Sequence, residues 1–226
     1  MARTWAVAAA VVGIGMAGGA ATAQQQATSA PKPERHVRGI VVAVTGNTVE
    51  VRARGGETAK FDLGDKTFVG VLTKADPSAI TKDAWIGTMT VRQPDGTLRA
   101  LEVHIFPESA RGTGEGQRPW DLQAGSSMTD AMVSGTGSSG AASSTMTNGS
   151  ITRASKGANG LELSLKYGGG EQTVVVPTGT PITRVEPADR SRIVPGAHVF
   201  AVAFPQQDGT LVAGCVYVGK GVVPPM

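Results

Sequence analysis

The sequence predicts an all-β protein: two tandem small β-barrels of OB or SH3-like character, each of about six short strands, joined by an irregular linker. Two observations carry this prediction. Aromatic residues make up only 4% of the 226, whereas 31 are glycine. Runs rich in Val, Ile and Thr alternate with polar residues between glycine-containing turns, which is the pattern of short half-buried strands and not of helices. The order of these runs also repeats in the two halves of the chain. The clearest landmark is Asp95-Gly96-Thr97-Leu98 against Asp208-Gly209-Thr210-Leu211.

Residues 1–23 read as a secretory signal peptide. Arg3 is followed by an apolar run from Trp5 to Ala17, and Ala21-Thr22-Ala23 fits a small-x-small cleavage site. The competing reading is a retained anchor. The run is mostly Ala and Gly, too weakly apolar for the ~20 residues of a membrane span. The expected location is therefore the periplasm, with no membrane span after cleavage. Residues 24–37 form a flexible leader without periodicity.

The first module spans 38–106. Val41–Val44 and Thr48–Arg54 flank Gly46-Asn47, a pair suited to a tight hairpin turn. Val49, Val51 and Ala53 alternate with Glu50, Arg52 and Arg54, so one face is buried. Val41 and Val44 are three apart, and this break in alternation predicts a bulge that bends the strand. Gly55-Gly56 makes the next turn, and Ala59, Phe61 and Leu63 share a face. Asp76 as cap and Pro77 at the first helical position predict a single helical turn. Trp85–Arg92 and Leu98–Phe106 form a last hairpin around Pro94-Asp95-Gly96.

The second module, 149–226, repeats this order. Gly39 matches Gly149, and Val41 and Val44 match Ile151 and Ala154. Phe61 matches Val175, Phe68 matches Ile182, Ile80 matches Ile193, and Ile86 matches Val199. An internal duplication accounts for these matches together. A small closed barrel is the simplest fold for each module, because closure removes exposed edges; a pair of packed sheets is the alternative. Between the modules, 107–148 shows no regular element. Its first part is motif-like, and Ser134–Ser144 is Gly/Ser/Ala filler.

The modules resemble an uncharacterised family of small exported bacterial β-domains, a domain of unknown function. The resemblance rests on Arg38-Gly39 opening an apolar strand, on Gly46-Asn47-Thr48, and on the Asp-Gly-Thr-Leu before each last strand. Arg111–Gly116, Arg118-Pro119-Trp120-Asp121-Leu122, Met146-Thr147-Asn148 and the segments Val218-Gly219-Lys220 and Pro224-Pro225-Met226 are similar to those of a proteobacterial periplasmic subgroup. It implies a periplasmic β-protein and brings no catalytic residues with it.

Chemistry is sparse in the sequence. A formal net charge of +3 is too small to imply a polyanionic partner. Nucleic acid is excluded by export and by strands poor in stacking aromatics. Cys215 stands alone, so no intramolecular disulfide forms. Its neighbours Val216 and Val218 turn it away from the barrel interior, either buried under another element or reactive. His36, His104 and His198 lack metal-ligand spacing. His104 should face outward beside Glu102. Gly135–Gly140 spells a dinucleotide fingerprint without the strand and helix that would make it work. No nucleophile elbow is present.

The remaining candidates lie in the linker. Arg111, Gly112–Gly116 and Arg118 form either an anion-binding nest or a solvated loop. Trp120 is either a contact anchor or a peg that packs the linker onto the barrels. The contact residues expected on this reading are Arg111, Arg118, Trp120 and Asp121, with no cofactor. The function they suggest is a non-enzymatic periplasmic binding or scaffold protein whose partner is another periplasmic protein or an envelope component. The alternative is a metal- or anion-handling protein using His104, His198, Met128 and Met146, or the Arg/Gly nest.

Overall fold

Strand alternation is realised along nearly the whole chain. A computed structural model describes residues 34–53, 55–120 and 144–224. The expected signal peptide, residues 24–33 of the expected leader and residues 121–143 of the linker lie outside these residues, whereas residues 35–37, expected to be leader, are already strand. The described residues form twelve strands of one continuous sheet. In the first half they are β1 (Arg35–Thr45), β2 (Thr48–Arg52), β3 (Thr58–Lys74), β4 (Trp85–Arg92), β5 (Leu98–Ile105) and β6 (Gly116–Trp120). In the second half they are β7 (Ser144–Gly157), β8 (Gly160–Tyr167), β9 (Gly170–Val176), β10 (Ile182–Pro187), β11 (His198–Pro205) and β12 (Leu211–Gly219). The only helical elements among the described residues are 3-10 turns at Pro77–Ala79, Glu108–Ala110 and Arg190–Arg192. None of the described helices is long and apolar enough to cross a membrane, which says nothing about strands.

The sheet closes on itself. β1, β2, β3, β12 and β11 form a five-strand barrel, closed by the parallel pairing of β3 with β12. β4, β5, β9, β8 and β7 form a second ring, closed by a short parallel contact at Leu98↔Val174 and Arg99↔Val175. β10 bridges the two, antiparallel to β3 and parallel to β5. β6 lies outside both rings and pairs with the start of β7.

The first and seventh strands begin ahead of the expected ranges 38–106 and 149–226, and the strands of neither range close a barrel by themselves. The first barrel takes three strands from the first half and two from the second. The second ring takes β4 and β5 from the first half and the rest from the second. Gly39 accordingly pairs with Val199, and Gly149 with Ile86. A chain with one barrel per half would pair Gly39 with Ile86. All described residues belong to a single unit, Lys32–Met226.

Matched positions hold equivalent places despite this exchange. The predicted bulge lies between Val41 and Ala43, and its counterpart between Ile151 and Arg153. A second pair of bulges falls at Met89/Thr90 and Val202/Ala203. Gly39 and Gly149 are both glycine because a Cβ would overlap a carbonyl oxygen on the next strand, that of Arg52 or of Lys166. Two matches shift by one residue. Val69 takes the place of Ile182, since they pair with Val216 and Val103 respectively. Val174 takes the place of Phe61. A strand alternates with period two, so a one-residue slip exchanges its buried and exposed faces. Val69, Ile182, Phe61 and Val174 are all buried, whereas Phe68 and Val175 are only half-buried.

Local chemistry explains the repeated turns. In Asp95-Gly96-Thr97, the Asp95 carboxylate accepts from the Thr97 backbone N–H at 2.9 Å and from its hydroxyl at 2.7 Å. Asp208 and Thr210 make the same two bonds at the same distances. Asp76 caps its 3-10 turn by accepting from Ser78 N at 2.8 Å. The 3-10 turns at Pro77–Ala79 and Arg190–Arg192 each deliver a buried isoleucine, Ile80 or Ile193, to a different core.

Three apolar cores result. Val41, Val51, Phe61, Val199, Ala201 and Val216 fill the first barrel. Ile86, Val103, Ile151, Leu163, Leu165 and Val174 fill the second. Met89, Trp120, Met146 and Phe200 make a third core from residues of both rings. Each fully buried side chain of this size contributes about 1.5–3 kcal/mol.

Candidate functional site

The segment that the sequence leaves irregular contains a strand. β6 pairs residue for residue with the first five positions of β7, from Gly116↔Asn148 to Trp120↔Ser144. Pro119 is tolerated because an edge strand has one side without ladder bonds. Residues 144–148, expected to be linker, are likewise strand.

This placement separates the expected contact residues. Trp120 is buried, with 6% of its surface exposed. Its indole lies 4.1 Å from the His36 ring, 5.9 Å from Phe200 and 5.6 Å from the Arg118 guanidinium carbon, centroid distances throughout. His36 and Phe200 belong to the first barrel and β6 is attached to the second, so Trp120 joins the two. This is the peg arrangement. Asp121 lies outside the described residues.

The two arginines do not converge on an anion. Arg111 donates to Glu108 at 2.7 Å, to the Asp83 carbonyl at 2.8 Å and to the Ser150 hydroxyl at 2.8 Å, with Trp85 beneath it. Its guanidinium holds the Glu108 carboxyl below the usual carboxylate range. Arg118 donates to the Gly114 carbonyl at 2.9 Å and sits 3.7 Å from Glu34. Both guanidinium groups therefore fasten the 107–120 arm.

Titratable groups gather at the seam between the barrels. His104 leaves the interior of its ring as expected and meets Glu102, but it is buried and not facing solvent. β10 runs alongside and supplies Thr183, whose hydroxyl is 2.6 Å from Nδ1. His104, Phe106, Tyr217, Phe200, Trp120 and His36 then form a continuous file of rings, each 4.1–6.4 Å from the next. Cys215 is half-buried as a residue and unpaired with any other cysteine. Burial pushes its thiol pKa up, against a hydrogen bond with Tyr217. Among the described residues, no group of three or more His, Cys, Asp or Glu is placed to hold a metal ion. His198 stands at the counterpart of Trp85, Met146 is in the third core, and Met128 is outside the described residues.

An open groove of about 620 Å³, which no sequence motif announced, lies on the surface. Its walls are the β4–β5 hairpin tip with Arg92 and Asp95, the start of β9 with Glu171 and Gln172, and β6 with Gln117; Tyr167 stands at one end. The Gln117 amide donates to Gln172 at 3.1 Å, and Gln172 donates to Thr147 at 2.7 Å, so both amides are held in fixed orientations. The one signal in the sequence is Gly168-Gly169-Gly170 directly after Tyr167.

Comparisons with protein-family models, with curated proteins and with solved structures find no match for this chain.

Proposed function

We propose that the chain is a non-enzymatic binding or scaffold protein of the periplasm, working without a cofactor on an envelope component or another periplasmic protein. The observation that carries this reading is the open groove, set on strands of a closed sheet. Binding sites built on strands hold their side chains more accurately than sites on free loops. Gln117 and Gln172 are oriented by their mutual hydrogen bond before any ligand arrives, which lowers the ordering cost of binding. The burial of Trp120, and the engagement of Arg118 with Gly114 and Glu34, favour the groove over the Arg-Pro-Trp-Asp-Leu segment as the contact surface. The signal-like N-terminus and the resemblance to exported β-domains support the compartment.

A photocrosslinking amino acid placed at Gln172 tests the reading in cells. A discrete, saturable adduct is expected there and not from the same group at Lys60, which is exposed on β3. Equal or absent labelling at the two positions refutes it.

A further inference from the structure

The two halves match each other along most of their strands, and several departures from that match meet at one place. β2 stops at Arg52 and β3 begins at Thr58, whereas the equivalent hairpin runs on to Tyr167 and restarts at Gly170. The extension is the single pair Tyr167↔Gly170, next to Lys166↔Glu171, the counterpart of Arg52↔Thr58. It carries Tyr167, while Glu171 and Gln172 stand where the first hairpin has Thr58 and Ala59, and all three line the groove. β6, which belongs to neither barrel, supplies Gln117 to the same groove. Arg92 on the opposite wall stands where the other hairpin has Pro205. A closed barrel needs none of these additions.

The additions have a common chemistry. Tyr167 is a half-buried ring followed by three glycines. A Cβ at Gly169 would come within 3.1 Å of a Tyr167 ring carbon, so the absence of side chains there leaves the ring uncovered on that side. An uncovered aromatic ring accepts a flat, weakly polar C–H surface. Around it, Gln117 and Gln172 each use one of two amide N–H groups in the bonds described, which leaves a second donor on each. Glu171 uses Oε1 to accept from Thr152, and Arg92 uses one N–H on Gly96. Fixed amides, a carboxylate and a guanidinium at the rim of an aromatic platform match paired hydroxyls. One cation against Asp95 and Glu171 gives no strong field of either sign, which disfavours polyanions and polycations.

We propose that this groove binds a short segment of an uncharged glycan, with a pyranose ring stacked on Tyr167 and its hydroxyls bonded to Gln117, Gln172 and Glu171. The proposal deepens the binding reading above and rests on it.

Isothermal titration of the full chain with cellohexaose, chitohexaose and maltohexaose tests it. Binding of at least one is expected, weakened about tenfold or more by Tyr167→Ala. Gly169→Val should abolish binding with Tyr167 intact, because the added side chain covers the ring. Gly169 sits at an exposed turn and does not have a positive φ, so this variant keeps the test decisive if Tyr167→Ala misfolds. No binding of any of the three at millimolar concentration, or undiminished binding by Gly169→Val, overturns the glycan proposal. A crosslinked protein partner at Gln172 in the same circumstances would leave the broader binding reading standing.

Discussion

Leu72 on β3 lies opposite Val185 on β10, and each holds in its own half the position that the other holds in its half. The antiparallel pairing of these strands places a local two-fold axis at that pair. Both side chains are buried, with 1% and 2% exposed. The chain leaving β3 emerges beside β10, where Ala75 N–H donates to the Ile182 carbonyl at 2.9 Å. The chain leaving β10 emerges beside β3, where Ala188 N–H donates to the Val69 carbonyl at 2.9 Å. Each half is thereby directed to finish the other half's barrel.

Strand exchange makes the halves inseparable without unfolding. A protease site introduced between Gly135 and Ser139 and then cleaved should yield two fragments that co-elute in size-exclusion chromatography with an unchanged circular dichroism spectrum. Separation under native conditions would show that each half closes on itself.

Trp120→Ala removes the largest side chain of the third core. The expected loss is about 3–5 kcal/mol in urea denaturation, the range for truncating a buried aromatic residue. Arg118→Ala should cost much less, because its side chain is one-third exposed. A Trp120→Ala variant that unfolds at the wild-type midpoint would return Trp120 to the role of a surface contact.

Asp83 and Gly196 occupy equivalent turns. Gly196 has φ 86° and donates to the Val41 carbonyl; Asp83 has φ 67° and donates to the Ile151 carbonyl. Left-handed backbone costs an L-residue about 1–2 kcal/mol, less for Asp than for most. Gly196→Ala should therefore destabilise by about 1 kcal/mol, and Asp83→Gly should be neutral or stabilising by up to about that amount. Melting temperatures of the two variants, shifted in opposite directions, check this.

Stability should fall on the alkaline side. Burial raises the Cys215 thiol above its ordinary value of 9.0 and raises the Tyr217 hydroxyl well above 10.0. A group harder to ionise when folded stabilises the fold fully below its unfolded pKa, and the contribution is lost as pH rises through the folded value. Melting temperature should hold steady to pH 9 and then decline, and Cys215→Ala with Tyr217→Phe should flatten the decline. The same burial predicts slow reaction of Cys215 with a thiol reagent until the protein is unfolded.

Much of the fold was legible because its signals are local. Alternation in Val49–Ala53 assigns a buried face, the Val41/Val44 spacing marks a bulge, and Asp95-Gly96-Thr97 encodes a turn bonded within three residues. β6 escaped because Gln117 to Pro119 has no apolar alternation; its strand form depends on an edge provided by Ser144–Asn148, distant in sequence. The groove escaped for the same reason. Arg92, Gln117, Tyr167 and Gln172 lie on separate elements, and only the glycine run after Tyr167 left a trace.

The sequence by itself determined an all-β chain, its first bulge and its Asp-Gly-Thr turns. Those features follow from side-chain periodicity and backbone sterics over a few residues. Only the tertiary structure decided which hairpin completes which barrel. The β4–β5 and β11–β12 hairpins carry a bulge and an Asp-Gly-Thr turn at matching positions. The choice is made where Leu72 meets Val185, because pairing β3 with β10 sends each chain end across to the opposite barrel.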